Sequence, residues 1–211
     1  MGLELNAKET ALVLIDLQNG IVGRQLAPYS GKDIVSKGSH LANAIRAAGG
    51  TVVYVHVLVN EVLPLQADRA MPRPSEPYPP EASELVESAG YQDDKDVLIT
   101  KRQWDAFYAT GLDQALRRRG VKTIVLGGIA TNFGVESTAR SAQAHGYEIV
   151  FVEDAMTTMS AEMHKFAVEV LFPIIGRVRT SNEVMQALGA EGASAASEPA
   201  AVVHGEQGAY N

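Results

Sequence analysis

Apolar and polar positions alternate along this chain in blocks that predict strands and helices by turns. Thr10-Ala-Leu-Val-Leu-Ile15 is an unbroken apolar run, as a strand covered on both faces requires. From Asp33 to Ala48, Ile34, Leu41, Ala42, Ile45 and Ala48 fall on one helical face, and Gly49-Gly50 end it. Thr51 to Val59 predicts a second strand, Val97 to Ile99 a third, and Leu112 to Arg119 a helix stopped by Gly120. Lys122 to Leu126 is the fourth strand. It runs through Gly127-Gly128 into a helix on which Val135, Thr138, Ala139 and Ala142 recur at i, i+3, i+4 and i+7, with His145-Gly146 at its end. Glu148 to Val152 is a fifth strand. Ser160 is placed to cap a helix bounded by Pro173, Arg177 to Arg179 forms a short sixth strand, and Ser181 to Leu188 a last helix.

Strict alternation of strands and helices points to parallel pairing through right-handed crossovers. The expected fold class is α/β, a three-layer α/β/α sandwich on a mostly parallel, Rossmann-like sheet of about six strands. Residues 1–188 form one domain on this reading. Residues 189–211, rich in Ala, Gly, Ser and Glu and without periodicity, read as a tail, flexible or packed on a neighbour. Between Asn60 and Lys95 the alternation breaks. Six prolines, among them Pro72, Pro74, Pro77, Pro79 and Pro80, stand among acidic residues, with a short helix predicted over Glu81 to Ser88. An irregular stretch this long inside a domain is functional or disordered.

Composition narrows the function classes. The formal charge of −7 argues against nucleic acid, which wants a basic face. The absence of cysteine removes disulfides, thiolate metal sites and a cysteine nucleophile. No basic start followed by an apolar run marks the N-terminus, and no apolar stretch reaches a membrane span of roughly 20 residues. A cytoplasmic protein without membrane contact is the expectation.

In parallel α/β sheets ligands sit beyond the carboxyl ends of the strands. The residues to weigh there are Asp16, His56, Lys101, the elbow Gly127 to Gly134, and Asp154. Singly, each has a plain structural reading: a lone carboxylate caps a loop, a strand-end lysine is solvated, and His56 is a hydrogen-bonded core residue. Asp154 reads as the cap of the turn into AMTTMSAE, and Glu136 and Arg140, at i and i+4, as a surface ion pair. What distinguishes Asp16, Lys101 and the elbow is that parallel, adjacent strands bring all three to one edge.

The segments ALVLIDLQNG (11–20), ITKRQWDAFYATGLDQALRRRGVKTIVLGGIATNFGVESTARSAQAHGY (99–147) and VFVEDAMTT (150–158), in this order, resemble the isochorismatase-like hydrolase superfamily over nearly all of residues 8 to 188. The resemblance implies an Asp, Lys, Cys triad in which Asp16 is the acid, Lys101 the lysine, and Gly134 stands where the cysteine belongs. It further implies a cis peptide between Ile129 and Ala130, amides of Ala130 and Gly134 facing the site, Asn132 within the elbow, Phe107 as a pocket wall, and Gln18 beside the pocket. Arg102 is a candidate partner for a substrate carboxylate, and Trp104 and Tyr108 read as packing. The metal cluster of nicotinamidases is missing, so no metal and no cofactor are expected.

Without a thiolate no acyl-enzyme forms at residue 134, which disfavours amide hydrolysis by the nicotinamidase route. One branch of the superfamily, the isochorismatases proper, carries glycine here and hydrolyses an enol ether with the aspartate as general acid. The implied function is therefore hydrolysis of a small, anionic molecule at an enol-ether or related C–O or C–N bond, by Asp16 without a covalent intermediate, with Lys101 for electrostatic positioning. Two alternatives stay open: an inactive family member serving as a small-molecule binding or scaffold protein, and an amide hydrolase that uses water directly. The family also implies a homo-oligomer, with the proline-rich segment and the tail as candidates to cross between subunits.

Overall fold

Chain order builds the fold from the central strand outward. The computed structural model describes residues 2–69 and 74–189. Strand β1 (Thr10–Ile15) is buried at every position. A single helical turn, α1 (Asn19–Val22), precedes the long helix α2 (Gly31–Ala47). Helix α2 begins two residues before the apolar periodicity does because Ser30 and Asp33 form a capping box, each side chain accepting from the other's backbone N–H. Strand β2 (Thr51–Val57) follows, then the proline-rich segment, then β3 (Val97–Lys101) and α3 (Leu112–Arg117). Strand β4 (Thr123–Ile129) leads into a π-helical turn, Thr131–Val135, and helix α4 (Glu136–Ala144). The chain closes with β5 (Glu148–Thr157), α5 (Ala161–Phe166), α6 (Phe172–Ile175), β6 (Arg177–Arg179) and α7 (Ser181–Ala187).

The six strands pair in parallel in the order β3-β2-β1-β4-β5-β6. Alternation along each strand divides the core in two. Val13, Ile15, Val55, Leu126 and Phe151 face α3, α4 and α6, while Leu12, Leu14, Tyr54, Val125 and Val150 face α2 and α7. The expected three-layer parallel sandwich is the observed one. Because the strand order reverses at β1, the crevice above the carboxyl ends of β1 and β4 is where a ligand site belongs.

Several local expectations are corrected. Gly127 and Gly128 belong to β4 and not to the elbow after it. β5 runs five residues past Val152: its pairing with β4 jumps from Leu126–Phe151 to Gly128–Met156, so the strand bulges through Glu153 and Asp154. Asp154 consequently caps no turn into AMTTMSAE. Its carboxylate takes Lys37 Nζ at 2.7 Å and the backbone and hydroxyl of Ser181, and burial is outweighed by these bonds, holding its pKa below the usual carboxylate range. Pro173 does not bound a helix. The chain passes from α5 through a π-helical stretch, Ala167–Leu171, and Pro173 sits in the first turn of α6, where its missing N–H leaves little unsatisfied. The helix predicted over Glu81 to Ser88 is two 3-10 turns, Pro80–Ser83 and Glu87–Ala89. The tail predicted over 189–211 lies, from residue 190 onward, outside the described residues. Among those described, no helix is long and apolar enough to cross a membrane.

Candidate active site

The site starts where β1 runs out. Asp16 follows its last residue, donates its N–H to Val55 O at 2.8 Å, and then turns with φ of +55°, a left-handed conformation that Asp tolerates better than most residues. The turn sets its carboxyl above the sheet edge while leaving only 6% of the residue exposed. Lys101, the last residue of β3, is deeper still at 1% exposed. Its ammonium lies 2.9 Å from Asp16 Oδ2 and donates to the carbonyl of Trp104 at 2.8 Å. Asp16 Oδ1, although buried, has no hydrogen-bond partner among the described residues.

Burial is the largest influence on Asp16 and raises its pKa above the ordinary carboxylate value; the nearby charges of Lys101, His56 and Arg24 pull the other way and do not prevail. An acid group in this setting holds its proton to higher pH than a solvated aspartate does.

Gly134, buried at the start of the elbow helix, completes the constellation. A Cβ there would lie 2.9 Å from Ile15 Cγ2, 3.1 Å from Lys101 Nζ and 3.5 Å from Asp16 Oδ2. The place of a side chain at 134 is therefore against both ionisable groups, and glycine leaves it to a ligand. The Ile129–Ala130 peptide is cis, as the resemblance implies. Gly128, two residues earlier, is fixed by crowding: at φ of +116°, a Cβ would meet the Ile15 carbonyl oxygen at 2.2 Å.

Asp16, Lys101, Ile129, Ala130 and Gly134 all line one cavity of about 410 Å³, ample for a small organic molecule. Its walls are mostly apolar. Trp104, packed edge to face on Phe133 with ring centroids 5.0 Å apart, forms one side. Val62 and Tyr78 bring the proline-rich segment to the other, pinned by the Asn60 side chain, which donates to Tyr78 O and accepts from Tyr78 N.

Gln18, Phe107 and Asn132 are not among the residues that line the cavity. Phe107 is buried under α4, stacked on His145 with centroids 5.0 Å apart, so the aromatic wall is Trp104 instead. Gln18 is fully buried and its amide is spent on backbone, donating to Val57 O and Ala82 O and accepting from Val57 N. It holds β2 to the proline-rich segment and leaves no polar atom for a ligand. Asn132 points its Oδ1 at the Thr158 hydroxyl, which donates at 2.6 Å, and is not part of the cavity lining.

Other side chains settle into structural places. His56 is held between Ser83 O at Nδ1 and Thr100 Oγ1 at Nε2; since a carbonyl only accepts, Nδ1 carries a proton there. Arg102 is paired with Glu61. Arg140 and Glu136 form the expected i, i+4 pair at 3.0 Å. Among the described residues, no three His, Asp or Glu side chains gather into a metal site. Sequence reasoning passed over Arg24, which lines the cavity; it stands eight residues past Asp16 in a segment without periodicity, and nothing in the pattern marks it.

A family model described as the isochorismatase domain matches residues 10–183. The isochorismatase family protein YecD of Escherichia coli O157:H7, itself uncharacterised, is 43% identical over 88% of this chain and 100% of its own length. YwoC of Bacillus subtilis, of the same family and also uncharacterised, is 42% identical over 87% of this chain and 96% of its own. Among solved structures, an isochorismatase family protein from Burkholderia thailandensis superposes with a TM-score of 0.82 at 45% identity, over 88% of this chain and 98% of that one.

Proposed function

This chain belongs to the isochorismatase family of hydrolases, and we propose that it hydrolyses a small carboxylated enol ether, or a related C–O or C–N bond, by general-acid catalysis from Asp16 without a covalent intermediate. The observation that carries this reading is the buried, unpartnered Oδ1 of Asp16 at a cavity whose nucleophile position is Gly134. A carboxyl whose pKa is raised by burial keeps its proton long enough to donate it. Oδ1 gives that proton to the terminal vinyl carbon, and the carbon bearing the ether oxygen becomes an oxocarbenium. Water adds there and returns a proton to Asp16, and the hemiketal collapses to an alcohol and a keto acid. One water is consumed and no bond to the protein forms.

Lys101 positions Oδ2 so that Oδ1 is the donating oxygen, and its charge favours a carboxylate or a developing negative charge in the space at Gly134. The elbow adds the positive end of the helix beginning at residue 131, with the Ala130 and Gly134 amides as the anion site. The absence of any cysteine in the chain supports this route over thiol-dependent amide hydrolysis.

The test compares products. Isochorismate and simpler enolpyruvyl ethers are assayed for pyruvate with lactate dehydrogenase, and small carboxylated amides for ammonia. The expected result is pyruvate release by the native protein and about a tenfold or greater loss in Gly134→Ala, whose methyl would crowd Lys101 and Asp16. Ammonia release without pyruvate would replace this reading with water-driven amide hydrolysis. Ligand binding without either product would make the chain a binding protein.

A further inference from the structure

The Asp16 cavity carries a charge that the Asp16–Lys101 pair does not account for. Those two groups neutralise one another when Asp16 is ionised, and among the described residues Asp16 is the one acidic residue that lines the cavity. Arg24 is the remaining charged lining residue among them. Its Nε–H donates to Gly20 O at 2.9 Å, which fixes the root of the guanidinium on the turn after β1. Its two terminal amino groups have no carboxylate partner among the described residues.

Most other guanidiniums are engaged: Arg46 with Asp96, Arg102 with Glu61, Arg140 with Glu136, Arg177 with Glu148. Arg102, the cation the sequence offered for a substrate carboxylate, is thus occupied, while Arg24, which lines the cavity, has no carboxylate partner among the described residues. In a chain of formal charge −7, the described residues lining this cavity are net positive by one, and by two when Asp16 is protonated. An arginine fork is built to take a carboxylate on two parallel N–H bonds.

We propose that Arg24 is the specificity-determining residue of the site, anchoring the carboxylate of the substrate at the cavity mouth. The unpaired guanidinium on the lining of an apolar, otherwise charge-balanced cavity carries the inference. The substrate class that follows is an organic carboxylate whose apolar or planar body lies against Trp104 and Phe133. A neutral amide or a free cation finds no counterpart at that mouth. This inference rests on the reading of the Asp16 cavity as the substrate site.

The molecule contains its own reporter, since Trp104 is the only tryptophan and lines the cavity. Benzoate and phenylacetate, against benzamide and phenylacetamide, are titrated while its fluorescence is followed, with no turnover required. The native protein binds each carboxylate about tenfold more tightly than its amide, and the preference shrinks as salt is added. Arg24→Gln lowers carboxylate affinity about tenfold and leaves amide affinity unchanged; Arg24→Lys retains part of the preference. A native protein without carboxylate preference overturns the assignment. So does an Arg24→Gln protein that keeps it, most plainly if Lys101→Met is the variant that loses it. An Arg24-dependent preference in a protein that releases no pyruvate would sink the enol-ether reading and leave the Arg24 assignment standing.

Discussion

Replacing Asp16 with Asn lowers turnover by about 100- to 10,000-fold, the usual worth of a positioned general acid, while ligand binding at the cavity changes far less. The substitution preserves shape and the possibility of accepting from Lys101, but it removes the one proton that the cavity can supply from a buried, unpartnered oxygen. The loss therefore falls on kcat. Trp104 fluorescence with a bound carboxylate checks that the cavity survives, and a thermal melt checks the fold. Undiminished turnover in a folded Asp16→Asn protein would take Asp16 out of the chemistry altogether.

Gly128→Ala has the largest expected effect on stability, about 2–6 kcal/mol, from two sources. A non-glycine residue at φ of +116° is strained, by about 1–3 kcal/mol. The new methyl would also stand 2.2 Å from Ile15 O and 2.5 Å from Ile15 N, backbone atoms of the central strand that have no rotamer by which to yield, and overpacking of this kind costs about 1–3 kcal/mol. Gly120→Ala is the matched control: its φ is +68°, and nothing lies within 4 Å of the added Cβ. Urea unfolding separates the two. Equal midpoint shifts in both variants would mean that β1 and β4 do not approach as closely as described.

The sheet was legible because buried parallel strands are continuous apolar runs, and Thr10–Ile15 and Thr51–Val57 stand out on that ground alone. Where charge enters a strand the pattern fails. β5 seemed to end at Val152 because Glu153 and Asp154 follow, yet a bulge lets both leave the core faces while pairing resumes at Met156. Pro173 misled for a related reason: a π-helical stretch before it shifts the hydrogen-bond ladder, so the proline falls in a first turn where it does no harm.

At the site, Asp16, Lys101 and Gly134 were readable from strand ends and from resemblance together. The side chains of Gln18 and Phe107 could not be oriented from the sequence, because side-chain direction after a strand depends on partners far along the chain: Val57 and Ala82 for the amide, His145 for the ring. Arg24 left no trace in the sequence, since what marks it is its place on the cavity lining without a carboxylate partner among the described residues.

The protonation of Asp16 is the point on which the account turns, and it can be measured without knowing the substrate. Carbon-13 NMR of aspartate-labelled protein, with Asp16→Asn to assign the resonance, follows that carboxyl as pH is raised. The account predicts that Asp16 holds its proton to higher pH than an ordinary aspartate, as burial dictates despite Lys101 at 2.9 Å. A carboxyl that ionises below the ordinary aspartate value would show that the ammonium governs the pair, and would contradict Asp16 as the acid.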